Sequence, residues 1–557
     1  MLYFLLVAII VIIVGMLSSL IFKNKQKKKA ANLRNQWGKV KSENFNFNLI
    51  SIYLENNKES GFHQLSDQTK SDIDFADIFC LIDRTVSKIG QQFLFDKCSR
   101  PTNDTNALEE LNKQVDFFVN NKTKRDVAQQ LLASLNNNDA YFIATLLTDK
   151  LPPRPAWFNW AKVYIMAILL MAIAAVIYPF LIIWLMVPFG VNVFFHYRNK
   201  NHTQRFSKSF PQLNVLINIC KKLKAGNLPF EDDKVKASIR NLRSIQQKSK
   251  LLSFDGPSLT DELTQFALIF FDVIKAFSLL EFFIFYNLIA AIEKQRSDIS
   301  HLFDYAGSID TALSIASLRS SNFKTCVPVF LPASKDLYSI QAYHPLIDNC
   351  VSNNMEVQNK SILITGSNMS GKTTFLRMLA INAVLAQTIC TCFADEFKTP
   401  VIKLHSSIRI DDNLFEGKSY YLEEVTIMGA LINEAKQNWQ NIFILDEVFK
   451  GTNTIERVAA AKAILSFLNK KNNMVFVSTH DVELAGMLAA EYELYHFAES
   501  IEDGQLSFGY TLKKGPLKTS NAIRILELYN YPAEIIEEAK AISGSLFIAS
   551  SHQAETY

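Results

Sequence analysis

No CxxC pair occurs in this chain, and its seven cysteines are scattered and odd in number. The nearest pair is Cys390-Thr-Cys392, with no histidine beside it. A disulfide framework and a compact zinc site are thereby disfavoured, which leaves reduced, structural thiols. A strong charge of either sign is missing as well. Lys and Arg number 58 against 54 Asp and Glu, a net +4 that is too near balance to argue for nucleic acid by itself. Hydrophobic residues make up 49% and charged residues 20%, which is not the composition of a disordered chain or of a bulk membrane channel. The 557 residues leave room for about three or four domains.

Two stretches lack charge altogether. Met1 to Phe22 carries none, and Lys23, Lys25, Lys27, Lys28 and Lys29 follow at once. An apolar run of about 20 residues spans a bilayer as a helix. A cleaved signal peptide has its positive charge before the apolar run and a small-residue site after it. Neither is present, so residues 1–22 are expected to be an uncleaved anchor, with the lysines on the cytoplasmic side. Val163 to Phe195 is the second uncharged run. As one straight helix it would measure about 50 Å, against an apolar core of about 30 Å. Pro179 sits at its middle and predicts a break. Residues 157–197 therefore read as a transmembrane hairpin, with Trp157, Trp160 and Trp184 at the interfaces. Lys162, Arg198 and Lys200 put both ends in the cytoplasm. A single tilted span is the alternative, and it would separate the two halves of the chain. The expected location is a multi-pass inner (cytoplasmic) membrane.

Around the hairpin the pattern is helical. Ala76 to Gly90 and Gln91 to Asp96 place apolar residues at three- and four-residue steps. Lys200 to Lys250 holds twelve Lys/Arg against Glu231, Asp232 and Asp233. That density suits a solvated face or anionic lipid, with nucleic acid as the sharper reading. Phe266 to Ile292 is apolar but carries Asp272, Lys275 and Glu281, which predicts a buried helix rather than a further span. Residues 23–156 and 198–340 thus read as two parts of one all-α domain.

From His344 onward short apolar strands alternate with helices, the rhythm of a parallel α/β sheet. Gly366-x-x-x-x-Gly371-Lys372-Thr373 is a full P-loop pattern between an apolar strand (Lys360 to Thr365) and a helical run (Phe375 to Ala386). Its glycines let the backbone wrap a phosphate, and loop amides with the helix N-terminus supply positive potential. Lys372 would reach the β- and γ-phosphates and Thr373 would hold Mg²⁺. Asn441 to Leu445 is an apolar strand ending in Asp446-Glu447. The first acid suits a place near Mg²⁺, the second a general base for the attacking water. A third strand, Met474 to Thr479, ends in His480, which reads as a γ-phosphate sensor at the mouth of the same sheet.

Thr365-Gly-Ser-Asn-Met-Ser-Gly-Lys-Thr-Thr374 resembles the Walker A segment of the MutS family, TGPNMxGKST. Asp446-Glu-Val-Phe-Lys-Gly-Thr-Asn453 resembles its DEIGRGTS segment, Gly417 to Glu424 its GRSTFMxE segment, and Ser478-Thr-His-Asp481 its ATH switch. His344-Pro345 stands where the family's ATPase domain begins, and Phe508 to Ala539 resembles its closing segment. More weakly, Leu81 to Gly90 followed by Arg100-Pro101 is similar to the start of the family's lever domain. The resemblance implies an α/β P-loop NTPase domain of the ABC/MutS type at 341–545, followed by a tail at 546–557 and preceded by an all-α lever/core domain with transmembrane helices. It implies ATP and Mg²⁺ on Gly366, Ser367, Asn368, Met369, Ser370, Gly371, Lys372, Thr373 and Thr374, with Asp446 at the metal. It further implies a homodimer in which Thr452 and Asn453 act on the partner's nucleotide, and levers that grip DNA. Ser367 stands for the usual Pro, Ser370 for a Gly and Asn453 for the Ser that acts in trans. Mismatch readers of the family carry an N-terminal domain with a Phe-x-Glu wedge and a connector, where this chain is expected to have its membrane anchor.

Three readings follow: a membrane-tethered, DNA-binding ATPase; a membrane-bound mechanical ATPase acting on a protein or lipid; and an ABC-type transporter, which the missing LSGGQ-like segment disfavours.

Overall fold

The computed structural model describes residues 20–554 apart from Phe22, Gln26, 57–60, Asp149, Glu231, 253–279, Asn368, 410–419, 450–452, 503–504 and 518–521. The expected anchor at 1–22 lies almost wholly outside the described residues, as do Asp272 and Lys275. The chain divides into two units. One comprises the N-terminal residues to Ser60 with 80–99 and 110–322; the other comprises 61–79, 100–109 and 323–557.

The first unit is helical. Its main helices are α1 (Lys88–Ser99), α2 (Phe158–Ile177), α3 (Leu181–Ala225), α4 (Leu280–Lys294) and α5 (Arg296–Arg319). Helices α1 and α5 approach closely because glycine faces each helix: Gly90 lies against Asp310, and Gly307 against Phe93. Asp310 is fully buried and closes the start of α1. It accepts from Val86 N (3.0 Å), Ser87 N (2.8 Å) and Ser87 Oγ (2.5 Å). Those amides belong to the helix entry, where no intrahelical acceptor exists. Burial pushes the Asp310 carboxyl up to about 6. Helix α4 buries Phe282, Phe285, Leu288, Ile289 and Ile292, so the part of the 266–292 run that is described is a packed helix.

Helices α2 and α3 meet at Tyr178-Pro179-Phe180 and fold back on each other, Tyr164 Oη donating to Pro188 O at 3.4 Å. Among the described residues α2 alone is long and apolar enough to cross a membrane, and Leu181–Asn192 is a shorter apolar stretch at the start of α3. Phe158, Ala161, Ile168 and Ala175 of α2 are buried, but many of the hairpin's other side chains point outward: Val176 is 84% exposed and Ile183 75%.

The second unit holds two sheets, β1 (Val329–Leu331), β2 (Leu337–Ala342), β3 (Asn353–Val357), β4 (Ser361–Thr365), β5 (Glu396–Pro400), β6 (Lys403–Ser407), β7 (Asn441–Asp446), β8 (Met474–Thr479), β9 (Tyr492–Glu502) and β10 (Gln505–Lys514). The larger has the order β10-β9-β4-β8-β7-β6, parallel except for the β9–β10 pair; the smaller has the order β1-β5-β2-β3. Ile362 to Ile364, Ile442 to Leu445 and Val475 to Val477 have no exposed surface, as expected of parallel strands covered on both faces. Helices α6 (Lys372–Ile389), α7 (Tyr420–Lys436), α8 (Thr454–Leu468) and α9 (Val482–Leu488) belong to this unit.

Three boundaries differ from the sequence reading. The C-terminal unit starts at Phe323 rather than 341, because β1 and β2 pair with β5. It also takes 61–79 from the stretch assigned to the helical domain. There the buried Asp72 accepts from Ser406 Oγ (2.6 Å), Ile408 N (3.1 Å) and Arg409 N (2.8 Å), a polar clasp on the end of β6. Finally, the helix Ala533–Ala554 runs through 546, where a frayed tail was expected.

Candidate nucleotide-binding site

The apolar run of β4 ends at Thr365, and Gly366 turns the chain. Its φ of +148° and its surroundings both require glycine, since an added Cβ would lie 2.7 Å from Phe497 O. Gly371, at φ +103°, caps the N-terminus of α6. The loop is held from within and from one side: Ser370 Oγ donates to Ser367 O (2.7 Å), and Ser367 Oγ donates to Glu499 on β9 (2.6 Å). The two serines that depart from the family pattern thus fix the loop. Met369 stands 70% exposed, and Asn368 lies outside the described residues.

Lys372 is 2% exposed and donates to Gly366 O (2.7 Å) and Ser367 O (2.9 Å). Thr373 Oγ1 donates to Asp446 Oδ2 at 2.6 Å, and Ser478 Oγ donates to the other Asp446 oxygen. Adjacent parallel strands produce this arrangement, because Asp446 at the end of β7 is in register with Ser478 on β8. Glu447 has φ +51° and donates its N–H to Ser478 O (3.0 Å). Its carboxylate lies 2.5 Å from His480 Nε2, which is 3.4 Å from Lys372 Nζ. The shorter contact puts the ring proton on Nε2, donating to Glu447. The structure therefore brings together Lys372, Thr373, Asp446, Glu447 and His480, with Thr374 beyond them in the first turn of α6.

The elements after β7 and β8 are tied together. Arg457 on α8 bonds both oxygens of Asp481, at 2.8 and 3.2 Å. Asn453 caps α8, its Oδ1 accepting from Glu456 N at 3.0 Å. Gly417 to Ser419 and Thr452 lie outside the described residues, while Glu424, early in α7, is buried.

Beside the loop is a cavity of about 390 Å³, lined among others by His344, Asn353, Gly371, Thr374, Phe375 and Tyr510. Sequence reading missed it as a site. Tyr510 lies in the bulged part of β10 at φ +47°, and its ring would meet a Cβ on Gly371 at 3.2 Å. Asn353 holds the bulge, donating to Tyr510 O (3.1 Å) and accepting from Leu512 N (2.7 Å). Gly509 beside an aromatic in a strand pattern was the available signal, since glycine inside a strand marks a bulge.

The donor set fits a triphosphate with Mg²⁺. A buried ammonium, a helix N-terminus and glycine-freed amides suit phosphate oxygens. Magnesium is commonly held by one or two protein oxygens together with phosphates and water, and Thr373 with Asp446 offers that pair. Among the described residues no group of three or more His, Cys, Asp or Glu could hold a metal without such help.

Comparison with known proteins places this unit. The family profile described as MutS domain V matches residues 362–546. "DNA mismatch repair protein MutS" of Thermus thermophilus is 30% identical over 207 residues, 36% of this chain and 25% of that protein. The protein of the same name from Petrotoga mobilis is 31% identical over 285 residues, 46% of this chain and 34% of its own length. That from Lactobacillus acidophilus is 26% identical over 296 residues, 50% and 34%. The chain thus spans about a quarter to a third of the length of these relatives.

Proposed function

The chain belongs to the MutS family through its C-terminal domain V, and on that premise we propose that it is a membrane-tethered ATPase that couples nucleotide binding and hydrolysis to movement of its helical unit on DNA. One observation carries the reading: Lys372, Thr373, Asp446, Glu447 and His480 converge at the mouth of one glycine-bounded loop. Lys372 and the loop amides bind the phosphates. Bound Mg²⁺, held by Thr373 and Asp446, would neutralise charge on the phosphate oxygens. Glu447 orients the attacking water and takes its proton, and His480 positions Glu447 through the Nε2 contact. The cavity under Tyr510 takes the nucleoside.

Two copies are expected to share their sites. Met369 in the phosphate loop, Ile455 in the first turn of α8 and Val482 at the start of α9 are exposed apolar side chains that a second copy would cover. In such a pair Thr452 and Asn453 would act on the partner's nucleotide. The DNA role rests on the relatives' names, on the basic stretch from Lys200 to Lys250 and on the family's lever motion; mismatch recognition is not part of the proposal. The second reading, an ATPase that works on a protein or lipid partner, is favoured by the exposed apolar hairpin in the helical unit. The test is nucleotide binding and ATPase rate with and without duplexes, mismatches and junctions at low salt. Lys372→Ala is expected to abolish binding, and DNA to raise the wild-type rate in a salt-sensitive way. A rate that no DNA changes supports the second reading; a wild type that cannot hold Mg·ATP removes both.

A further inference from the structure

Cys326, ahead of β1, and Cys392, just past the end of α6, are paired across an isolated antiparallel bridge. Each donates its N–H to the other's carbonyl, both at 2.9 Å. Residues that exchange both bonds have Cα atoms about 5.5 Å apart and side chains on one face, with Cβ atoms about 5 Å apart. Disulfides span Cα separations of about 4.4–6.8 Å, with Cβ atoms about 4 Å apart. The bridge lies outside the longer strands, so no extended ladder opposes that small approach. Neighbouring contacts hold the two segments in register. The rings of Phe323 and Phe393 meet edge to face at 5.7 Å; Tyr343 donates its N–H to Phe393 O (3.1 Å) and its hydroxyl to Lys324 O (3.0 Å). The two thiols differ in access, Cys326 being half-buried and Cys392 fully buried. Cys392 Sγ donates to Asn382 O at 3.4 Å, a weak bond that is given up at little cost.

We propose that Cys326 and Cys392 form a redox-modification site, at which a hydroperoxide closes a reversible disulfide. The Cys326 thiolate attacks a peroxide oxygen and the O–O bond breaks, which leaves a sulfenic acid and releases water or an alcohol. The Cys392 sulfur then attacks the Cys326 sulfur, the S–O bond breaks and water leaves. Two thiols thus give two electrons to one peroxide. Exposure makes Cys326 the thiol that meets the oxidant, and burial reserves Cys392 for the second step. The bond pins the segment ahead of β1 to the end of α6. The loop it closes contains β1 to β4 and the phosphate loop, and the inference holds whether or not that loop binds a nucleotide.

The test is treatment of the full chain with hydrogen peroxide, alkylation of remaining thiols and non-reducing peptide mapping by mass spectrometry. The peptide with Cys326 is expected to be linked to the peptide with Cys390 and Cys392, and dithiothreitol to release it. Cys390→Ser is expected to keep the link. Cys326→Ser is expected to abolish it and to leave Cys392 unoxidised. Cys392→Ala is expected to abolish it while Cys326 becomes a sulfenic acid that dimedone traps. The linked protein is expected to unfold at a higher urea midpoint, a rise absent from peroxide-treated Cys326→Ser. The inference is overturned if wild type shows no link, if the link joins two chains, or if it survives in Cys392→Ala. It is equally overturned if Cys392 is oxidised in Cys326→Ser, or if the linked protein gains no stability.

Discussion

Lys372 donates to two carbonyls of its own loop, so an entering phosphate must draw the ammonium away from main-chain acceptors that already satisfy it. The exchange favours phosphate because charge-assisted bonds to phosphate oxygens are about twice as strong as neutral ones. Glu447 is in a comparable position, since the contact to His480 occupies the carboxylate that would orient water. Glu447→Gln keeps the shape and removes the base. It is expected to bind Mg·ATP within about threefold of wild type and to hydrolyse it about a hundredfold more slowly in single-turnover assays. Wild-type turnover by that variant would end the assignment. At this scale the sequence was informative where chemistry follows a fixed local spacing. Gly366, Gly371, Lys372 and Thr373 are readable because a phosphate loop permits few alternatives. Tyr510 and His344 were not readable as the lining of one cavity, since they come from distant segments of the chain.

Helix pairing is where single atoms decide stability in the helical unit. A Cβ on Gly90 would lie 2.2 Å from Asp310 Oδ2, and that carboxylate cannot retreat because Val86 and Ser87 hold it. Gly90→Ala is therefore expected to destabilise the protein by about 1–3 kcal/mol, measured as a lower urea midpoint. An unchanged midpoint would show that α1 and α5 have slack. In the C-terminal unit the strap 61–79 meets β6 through His63, whose Nε2 is 2.8 Å from Leu404 O, and through the T-shaped contact of its ring with His405. Burial pushes both imidazoles down to about 4. Their folded pKa lies below the unfolded value near 6.5, so the unfolded chain takes up protons first as pH falls. Stability from this pair is complete above 6.5 and declines as the pH drops towards 4. Asp72, raised by burial, acts in the opposite sense at lower pH. The comparison is therefore between wild type and His405→Gln, which share it: the variant's denaturation midpoint is expected to fall less between pH 7 and 5. Strands β4, β7 and β8 were legible because fully covered parallel strands are uninterrupted apolar runs. The strap was not, because Asp72 and Ser406 are 334 positions apart, and no local periodicity encodes such a pairing.

For the whole molecule the open question is what covers the hairpin of α2 and α3. Val163, Met166, Leu170, Ile173, Val176, Ile182, Ile183 and Met186 are all more than half exposed. Each such side chain gains about 1.5–3 kcal/mol on full burial, so leaving all of them in water forgoes stabilisation at least comparable with a domain's net stability. A bilayer answers this better than a protein groove. The exposure runs around the helices rather than along one stripe, and α2, with 20 residues, is about 30 Å long, the thickness of a hydrocarbon core. Trp157 and Trp160 lie at the end where Lys162 begins the apolar run, as interfacial aromatics do. A chain starting at Lys23, in which the first apolar run cannot act, is therefore expected to float with anionic vesicles in a density gradient. Ile173→Lys, Val176→Lys and Ile183→Lys combined are expected to keep it at the bottom while Mg·ATP binding is retained. Flotation by the triple variant would move the membrane contact elsewhere, to the basic stretch after Lys200. Failure of the parent chain to float would give the hairpin to a protein partner, because surface this apolar does not remain uncovered.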